Sequence, residues 1–267
     1  LADEGFVVSR VAGFGRKRHS LLARKPNKTV EQAPFGKKTL AEHNTPAVAV
    51  IGAGFAGVSA ARVLAQRGYE VDLYERESQA ANGGSGNPAG LVAPVISRDF
   101  NSLSRLTSAG LGLMRSHLQH TTPKDCYCFN GVYKLDRNQR HEQKQRQIAA
   151  GLAPDNRFAQ WGQVNLQQDS DSGWYFPGAG WVRPRAVIRH WLQTMHVNCH
   201  FQTTVARLEP TSDGCWCLFG QHGERLDCYA TVVLACANQT KTLLPRLGRW
   251  LEPCRGQLTT AFIDQAE

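Results

Sequence analysis

The 267-residue sequence has no apolar run of the roughly eighteen residues a membrane helix needs, so no membrane span is expected. Its first residues, Leu1-Ala2-Asp3-Glu4-Gly5-Phe6, lack a basic stretch followed by an apolar one, so no secretory signal is expected there. They also lack an initiator Met, which predicts an internal cut from a longer chain. No C-x-x-C occurs among the eight cysteines, and no internal repeat of fixed period is visible. Cys126/Cys128 and Cys215/Cys217 are each separated by one residue, which on a strand puts both side chains on one face. A zinc site needs a second pair at ligand spacing with His or Cys converging, so no metal is expected. The cysteines read as buried free thiols of a reducing compartment, the cytoplasm.

What is present points to a globular chain. Hydrophobic residues make up 42%, enough for one large domain or two modest ones. The formal net charge of +9 is uneven: residues 1–45 hold nine Lys/Arg against four acids, a net +5. Such a segment suits a polyanion such as RNA, and equally a solvated linker. Residues 5–11 and 18–23 read as two short strands around the Gly13-Phe14-Gly15 turn, the closing hairpin of something upstream. Residues 25–46, with Pro26, Pro34, Gly36, Pro46 and several Lys, read as a linker.

A new unit then opens. Ala47-Val48-Ala49-Val50-Ile51 is a short apolar run of the kind that forms a buried parallel strand. Phe55 to Arg67 is Ala- and Leu-rich and predicts a helix stopped by Gly68. Tyr69 to Tyr74 predicts the second strand, ending at Glu75. The whole is a β–α–β unit of about thirty residues. Farther on, the spacing predicts a helix over 103–118, an exposed polar helix over 137–147 and a helix from Pro184 to Met195. Strands are predicted over 199–208, 215–219, 226–230 and 231–235, with Asp213-Gly214 as the turn signal.

The turn Gly52-Ala53-Gly54-Phe55-Ala56-Gly57 is a dinucleotide fingerprint in its proper setting of strand, helix, strand and acid. Gly52 permits the tight turn, Gly54 lets the backbone approach a pyrophosphate, and Gly57 lets helix and strand pack closely. The phosphates then meet the helix N-terminus. Glu75, twenty-three residues after Gly52, is placed to accept from ribose hydroxyls and to repel a 2′-phosphate, which argues against NADP. The loop Asn82-Gly83-Gly84-Ser85-Gly86-Asn87-Pro88 can wrap a long cofactor through backbone amides and the Ser85 and Asn87 side chains, or be an ordinary surface loop. The strand Thr231 to Ala237 ends in small residues and returns beside the cofactor at Ala235, or is a plain core strand. Arg98 and Arg183 have the chemistry to pair with a carboxylate or phosphate, and Trp181 the bulk to line a substrate cavity. Ordinary structural roles account for all three better.

Residues 47–257 resemble the D-amino-acid oxidase-like flavoproteins. Within that group, Gly84-Ser85-Gly86-Asn87-Pro88-Ala89-Gly90-Leu91-Val92-Ala93-Pro94, Gly180-Trp181-Val182-x-Pro184 and Arg255-Gly256-Gln257 resemble segments of the bifunctional tRNA 5-methylaminomethyl-2-thiouridine biosynthesis family. Gly13-Phe14-Gly15-Arg16-Lys17-Arg18 resembles the last strand region of that family's methyltransferase domain, although His19-Ser20 stands where the family has Glu-Met.

The resemblance implies an α/β fold: a Rossmann-like FAD-binding domain of the D-amino-acid oxidase type, interleaved with a β-rich substrate domain and incomplete at its C-terminal end. It implies a methyltransferase remnant over 1–24, a basic linker over 25–46 and an oxidoreductase domain over 47–267. The FAD-binding parts would be about 47–120 and 185–245, and the substrate-domain parts about 121–184 and 246–267. FAD would be held by Gly52, Gly54, Phe55, Ala56, Gly57, Glu75, Arg76, Ser85, Gly86, Asn87, Val205 and Ala235.

The implied reaction is oxidative removal of the carboxymethyl group from carboxymethylaminomethyl-uridine at the tRNA wobble position. A hydride leaves the methylene carbon, an imine forms, and water releases glyoxylate. Methylation with S-adenosylmethionine follows in an upstream domain that this chain is expected to lack. The partner implied is tRNA, with no membrane and no metal, and the catalytic residues are not identified. The 267 residues alone are expected to bind FAD weakly or not at all, to be inactive alone, and to show no methyltransferase activity. The alternatives are an oxidase of a free small amino acid and a non-catalytic tRNA-binding remnant.

Overall fold

A computed structural model of the protein describes residues 7–12, 19–24, 47–136, 138–151, 158–166, 169–253 and 256. The sequence expectations at Gly13 to Arg18, in the linker, and at Arg255 and Gln257 lie outside the described residues.

The chain begins with β1 (Val7–Ala12), β2 (His19–Arg24), β3 (Ala47–Ile51), α1 (Phe55–Gln66), β4 (Glu70–Tyr74) and β5 (Gly90–Val92). Next come α2 (Ser102–Thr121), β6 (Tyr127–Cys128), β7 (Val132–Leu135), α3 (Gln139–Ala150), β8 (Gln160–Leu166) and β9 (Asp169–Phe176). Then follow β10 (Gly180–Val182), α4 (Pro184–Thr194), β11 (Asn198–His200), β12 (Arg207–Pro210), β13 (Trp216–Phe219), β14 (Arg225–Tyr229), β15 (Thr231–Leu234) and α5 (Thr240–Leu243). β1 and β2 pair antiparallel, Val7 opposite Arg24. No helix among the described residues is long and apolar enough to cross a membrane.

The described residues fall into two compact units. The parallel-sheet unit contains residues 47–91, His117–Cys128 and 181–253. Its main sheet has the order β11-β4-β3-β15, every neighbour parallel. Alternation divides β3 and β4 between two layers. Val48, Val50, Val71 and Leu73 form one fully buried face, and α1 packs on these strands through Val58 and Ala61. Ala49, Ile51 and Tyr74 form the other face, in a core with Val205, Leu218 and Tyr229 of the antiparallel β12-β13-β14 sheet region. Each fully buried Val or Leu here contributes about 1.5–3 kcal/mol. α1 ends as expected: Gly68, at φ 86°, donates its amide to the Ala65 carbonyl. α4 starts at Pro184, as its sequence predicts, and buries Val187, Ile188 and Trp191.

Two sequence expectations change in this unit. The strand expected over 199–208 is two strands, β11 and β12. Gln202 adopts φ 54°, and the amides of Gln202 and Thr203 turn back to the carbonyls of Glu77 and Glu75 (3.0 and 2.9 Å). The cysteines are not all free thiols. Cys217 and Cys228 stand opposite each other in the β13–β14 register and form a disulfide, while Cys126, Cys128, Cys199, Cys215 and Cys236 are free. Sequence spacing carries no signal for that pairing, because eleven residues and a turn separate the two.

The antiparallel unit includes Val92–Ser116 and Phe129–Gly180. Its three-stranded sheet has the order β7-β9-β8. Trp174 and Phe176 of β9 point into a core with Leu111 of α2 and Ile148 of α3. The Asp136 carboxylate, just after β7, accepts from the His141 ring (2.9 Å), Trp161 Nε1 (3.1 Å) and Ser172 Oγ (2.8 Å). Gln145 Oε1 accepts from Trp174 Nε1 at 2.8 Å. These bonds tie α3 to the sheet. A buried carboxylate persists because its lone pairs are satisfied.

Candidate functional site

The turn from β3 to α1 has room for almost no side chain. Gly52 adopts φ 104°, and its amide donates to the Tyr74 carbonyl at 2.8 Å. A Cβ at Gly52 would lie 2.7 Å from the Ala235 carbonyl oxygen, because β15 ends directly beside it. A Cβ at Gly57 would run into the carbonyl oxygen of Gly52. At Gly54 the fit is also tight: a Cβ there would lie 3.3 Å from Ser85 Oγ, which would have to give way by a few tenths of an ångström.

α1 starts with Gly54 as its cap and has no acidic residue in its first turn. Its leading amides are therefore open to an acceptor that comes from elsewhere. Ser85 supplies one: its Oγ accepts from the Phe55 amide at 2.9 Å. Glu75 holds the turn before the helix: Oε2 accepts from the Ala53 amide at 2.7 Å and Oε1 from the Glu77 amide at 3.1 Å. The Ala53 carbonyl accepts from the Ala81 amide at 3.1 Å, which ties the wrapping loop to the glycine turn. In that loop Gly84–Gly86 forms one 3-10 turn. Gly86 is wedged, since a Cβ there would lie 2.6 Å from the Ala81 carbonyl oxygen and 3.1 Å from the Arg185 guanidinium.

These groups surround a cavity of about 620 Å³ within the parallel-sheet unit. Small-molecule sites span about 300–1,000 Å³. Of the residues singled out in the sequence, Gly52, Gly54, Phe55, Ala56, Glu75, Arg76, Ser85, Val205 and Ala235 line it. Gly57, Gly86 and Asn87 do not; Gly57 and Gly86 act one layer back, as spacers that let backbone approach backbone. Arg98 is exposed in the antiparallel unit, and Arg183 lies over the Trp181 ring at 5.6 Å; none of these three residues lines the cavity.

Sequence reasoning missed Thr203, Thr204, Gln221, Asn238, Gln239 and Thr242, all on the cavity wall. The signal that finds them is positional: ligands in open parallel sheets bind beyond the carboxyl ends of the strands, and most of these residues follow β11 or β15. At the wall, which Tyr74 lines, the Tyr74 and Tyr229 hydroxyls bond at 2.7 Å, and burial raises the pKa of both. Among the described residues no group of three or more His, Cys, Asp or Glu could hold a metal ion.

The donor set fits FAD. Backbone amides at a helix start suit a diphosphate, a carboxylate beyond the second strand suits a ribose, and the bare Gly54 leaves space for close approach.

Comparison with known proteins agrees. The DAO family, described as FAD dependent oxidoreductase, matches residues 47–265. The tRNA 5-methylaminomethyl-2-thiouridine biosynthesis bifunctional protein MnmC of Thiobacillus denitrificans is 33% identical over 97% of this chain and 42% of its own length. The protein of the same description from Ectopseudomonas mendocina is 33% identical over 97% of this chain and 40% of its own. The chain thus spans about two fifths of the length of the curated relatives it matches. Among solved structures, glycine oxidase from Bacillus cereus superposes with a TM-score of 0.60 at 22% identity, covering 76% of this chain and 59% of the other. NikD, an unusual amino acid oxidase essential for nikkomycin biosynthesis, gives 0.56 at 23% identity, covering 76% and 55%. Both share the fold. With the family matched over most of its length, this chain belongs to the FAD dependent oxidoreductases of the DAO family.

Proposed function

We propose that the chain is the cofactor-binding part of an oxidase that removes the carboxymethyl group from carboxymethylaminomethyl-uridine at the wobble position of tRNA. The observation that carries the reading is the corner where Glu75 holds the Ala53 amide at the mouth of a helix-start cavity. The printed names of the relatives, which speak of tRNA 5-methylaminomethyl-2-thiouridine biosynthesis, point to the substrate. The +9 charge suits a tRNA partner, and the cytoplasm is where such a substrate is met.

In this reading the amides of Phe55 and Ala56 hold the diphosphate, with Gly52, Gly54 and Gly57 keeping the approach clear. Glu75 accepts from the ribose, Arg76, Val205 and Ala235 border the nucleotide, and the Ser85-Gly86-Asn87 loop closes over it. When bound, FAD supplies the acceptor for a hydride from a C–H bond beside nitrogen. The chain's own work is to fix that acceptor rigidly, so that binding energy becomes orientation. Loss of hydride from the glycine-like methylene leaves an imine on the substrate, and water converts it to glyoxylate and an aminomethyl uridine.

The test is glyoxylate release by the FAD-loaded full-length protein. Modified tRNA is expected to yield glyoxylate, and free glycine or sarcosine none. Turnover of the free amino acids without turnover of the tRNA overturns the reading.

A further inference from the structure

The chain that leaves the cavity wall carries a basic and aromatic surface that the cofactor site does not use. β15 ends at Leu234, and the residues after it run along the cavity, with Asn238, Gln239, Thr242 and Leu243 on its wall. Leu243 also packs against the core that holds Tyr74 and Val205, which anchors the segment. A 3-10 turn, Pro245–Trp250, follows at once. The Leu244 amide donates to the Thr240 carbonyl (2.8 Å) and the Leu247 amide to the Leu244 carbonyl (2.9 Å), so the turn is tied to α5. Residues three apart eclipse in such a turn, so Arg246 and Arg249, both exposed, stand on one side of it. A Cβ at Gly248 would lie 3.7 Å from Lys241 Cβ, which puts Lys241 against the same turn. The Arg249 guanidinium lies over the Trp250 ring, 5.1 Å from its centroid, and covers one face. Trp250 is nonetheless 71% exposed, so the other face is open. No Asp or Glu occurs between Asp227 and Glu252, and none of the three cations has a salt bridge among the described residues.

We propose that this surface docks unpaired RNA: a base stacks on the open face of Trp250, and the flanking phosphates meet Arg246, Arg249 and Lys241. The inference rests on the tRNA reading above and deepens it, by naming where the parallel-sheet unit grips the nucleic acid outside the cofactor cavity. An indole offers a wide π-face to any base, and a guanidinium behind it adds a cation–π contact. Arg matches a phosphate through two parallel N–H bonds. A wobble uridine lies in an unpaired loop, whose bases can be splayed onto such a ring. Charge selects the occupant. Three cations without paired acids around one ring repel a second copy of the same surface and match a polyanion that carries flat bases. Position agrees: the turn continues the segment that borders the cavity, so RNA held at Trp250 is held on the same anchored stretch of chain.

The experiment is fluorescence anisotropy of a labelled anticodon stem-loop with the FAD-loaded full-length protein, which needs no turnover. Trp250→Ala is expected to weaken binding about tenfold or more. Trp250→Leu, which keeps bulk without a ring, is expected to weaken it as much, and Trp250→Phe to recover most of it. In the double variant Arg246→Gln/Arg249→Gln the slope of log affinity against log salt is expected to become shallower by about 1.4, two phosphate contacts at about 0.7 each. Heparin, a polyanion without bases, should lose affinity in the double variant and keep it in Trp250→Ala. Flavin absorbance and thermal midpoint are expected to match wild type throughout. Wild-type RNA affinity in Trp250→Ala, rescue by leucine, or an unchanged salt slope in the double variant overturns the proposal. So does loss of flavin in Trp250→Ala, which would make the ring a support of the cavity, or a dimer in sedimentation that Trp250→Ala dissolves. The two readings fail separately. Glyoxylate release by the wild type with RNA affinity untouched in Trp250→Ala sinks the docking surface alone. Ring-dependent RNA binding without glyoxylate release sinks the oxidase reading alone.

Discussion

The parallel-sheet unit builds its site from backbone, whereas the antiparallel unit is fastened by side chains far apart in sequence. In the first, amides at the start of α1 and glycines at 52, 54 and 57 do most of the shaping, and a single carboxylate, Glu75, orients the turn. In the second, Asp136 collects Trp161, Ser172 and His141 from two strands and a helix. The difference teaches where substitution acts. Backbone architecture fails when volume is added, and a side-chain network fails when a partner is removed.

Adding volume should have the largest effect. Gly57→Val drives a branched side chain into the Gly52 carbonyl and Ala235, with no space for either to yield. The expected result is loss of bound FAD and a destabilisation of about 3 kcal/mol or more, read from the visible flavin spectrum and from urea unfolding. A flavin-replete, fully stable variant would break the contrast between the units.

Removing a partner comes next. Asp136→Ala leaves the Trp161, Ser172 and His141 donors without their buried acceptor, which costs about 2–3 kcal/mol. Urea unfolding measures it, and flavin content should stay near wild type because the cavity proposed for the cofactor lies in the parallel-sheet unit. Loss of flavin as large as in Gly57→Val would show that the two units do not fail separately.

The smallest effect is confined to alkaline pH. Burial raises the pKa of Tyr74 and Tyr229, with Asp72 and Asp227 adding repulsion, so the fold favours both neutral hydroxyls. A raised value in the folded state means that the stability is fully present below the ordinary tyrosine value near 10 and is lost as pH rises beyond it. Each tyrosine steepens the loss by up to about 1.4 kcal/mol per pH unit. In Tyr229→Phe the fall of the thermal midpoint above that pH should be shallower than in wild type. An equal slope would show that the pair ionises without unfolding.

The same contrast explains what could be read from the sequence. β3, α1 and β4 were legible because a glycine turn, a helix stop and a terminal acid lie within one short stretch and each answers to local geometry. The start of α4 was legible from Pro184 for the same reason. The β8–β9 hairpin was not read, because Gln160, Gly162 and Gln163 dilute its alternation and its inward rings are Trp161 and Trp174 on different strands. The break at Gln202 is not legible because the β-branched and aromatic residues within 199–208 read as strand and give no hint of a left-handed residue, yet that break is what delivers Thr203, Thr204 and Val205 to the cavity. The Cys217–Cys228 pairing depended on strand register, which no spacing rule supplies.

Ala53 is engaged on both sides, its amide by Glu75 and its carbonyl by the Ala81 amide. Glu75, the glycine turn and the wrapping loop are thereby tied together by the chain's own hydrogen bonds. In the proposed reading a phosphate oxygen would take the place of Ser85 Oγ at the Phe55 amide, a charge-assisted bond for a neutral one. On that reading, calorimetry of FAD binding is expected to register heat release from the exchange at the Phe55 amide.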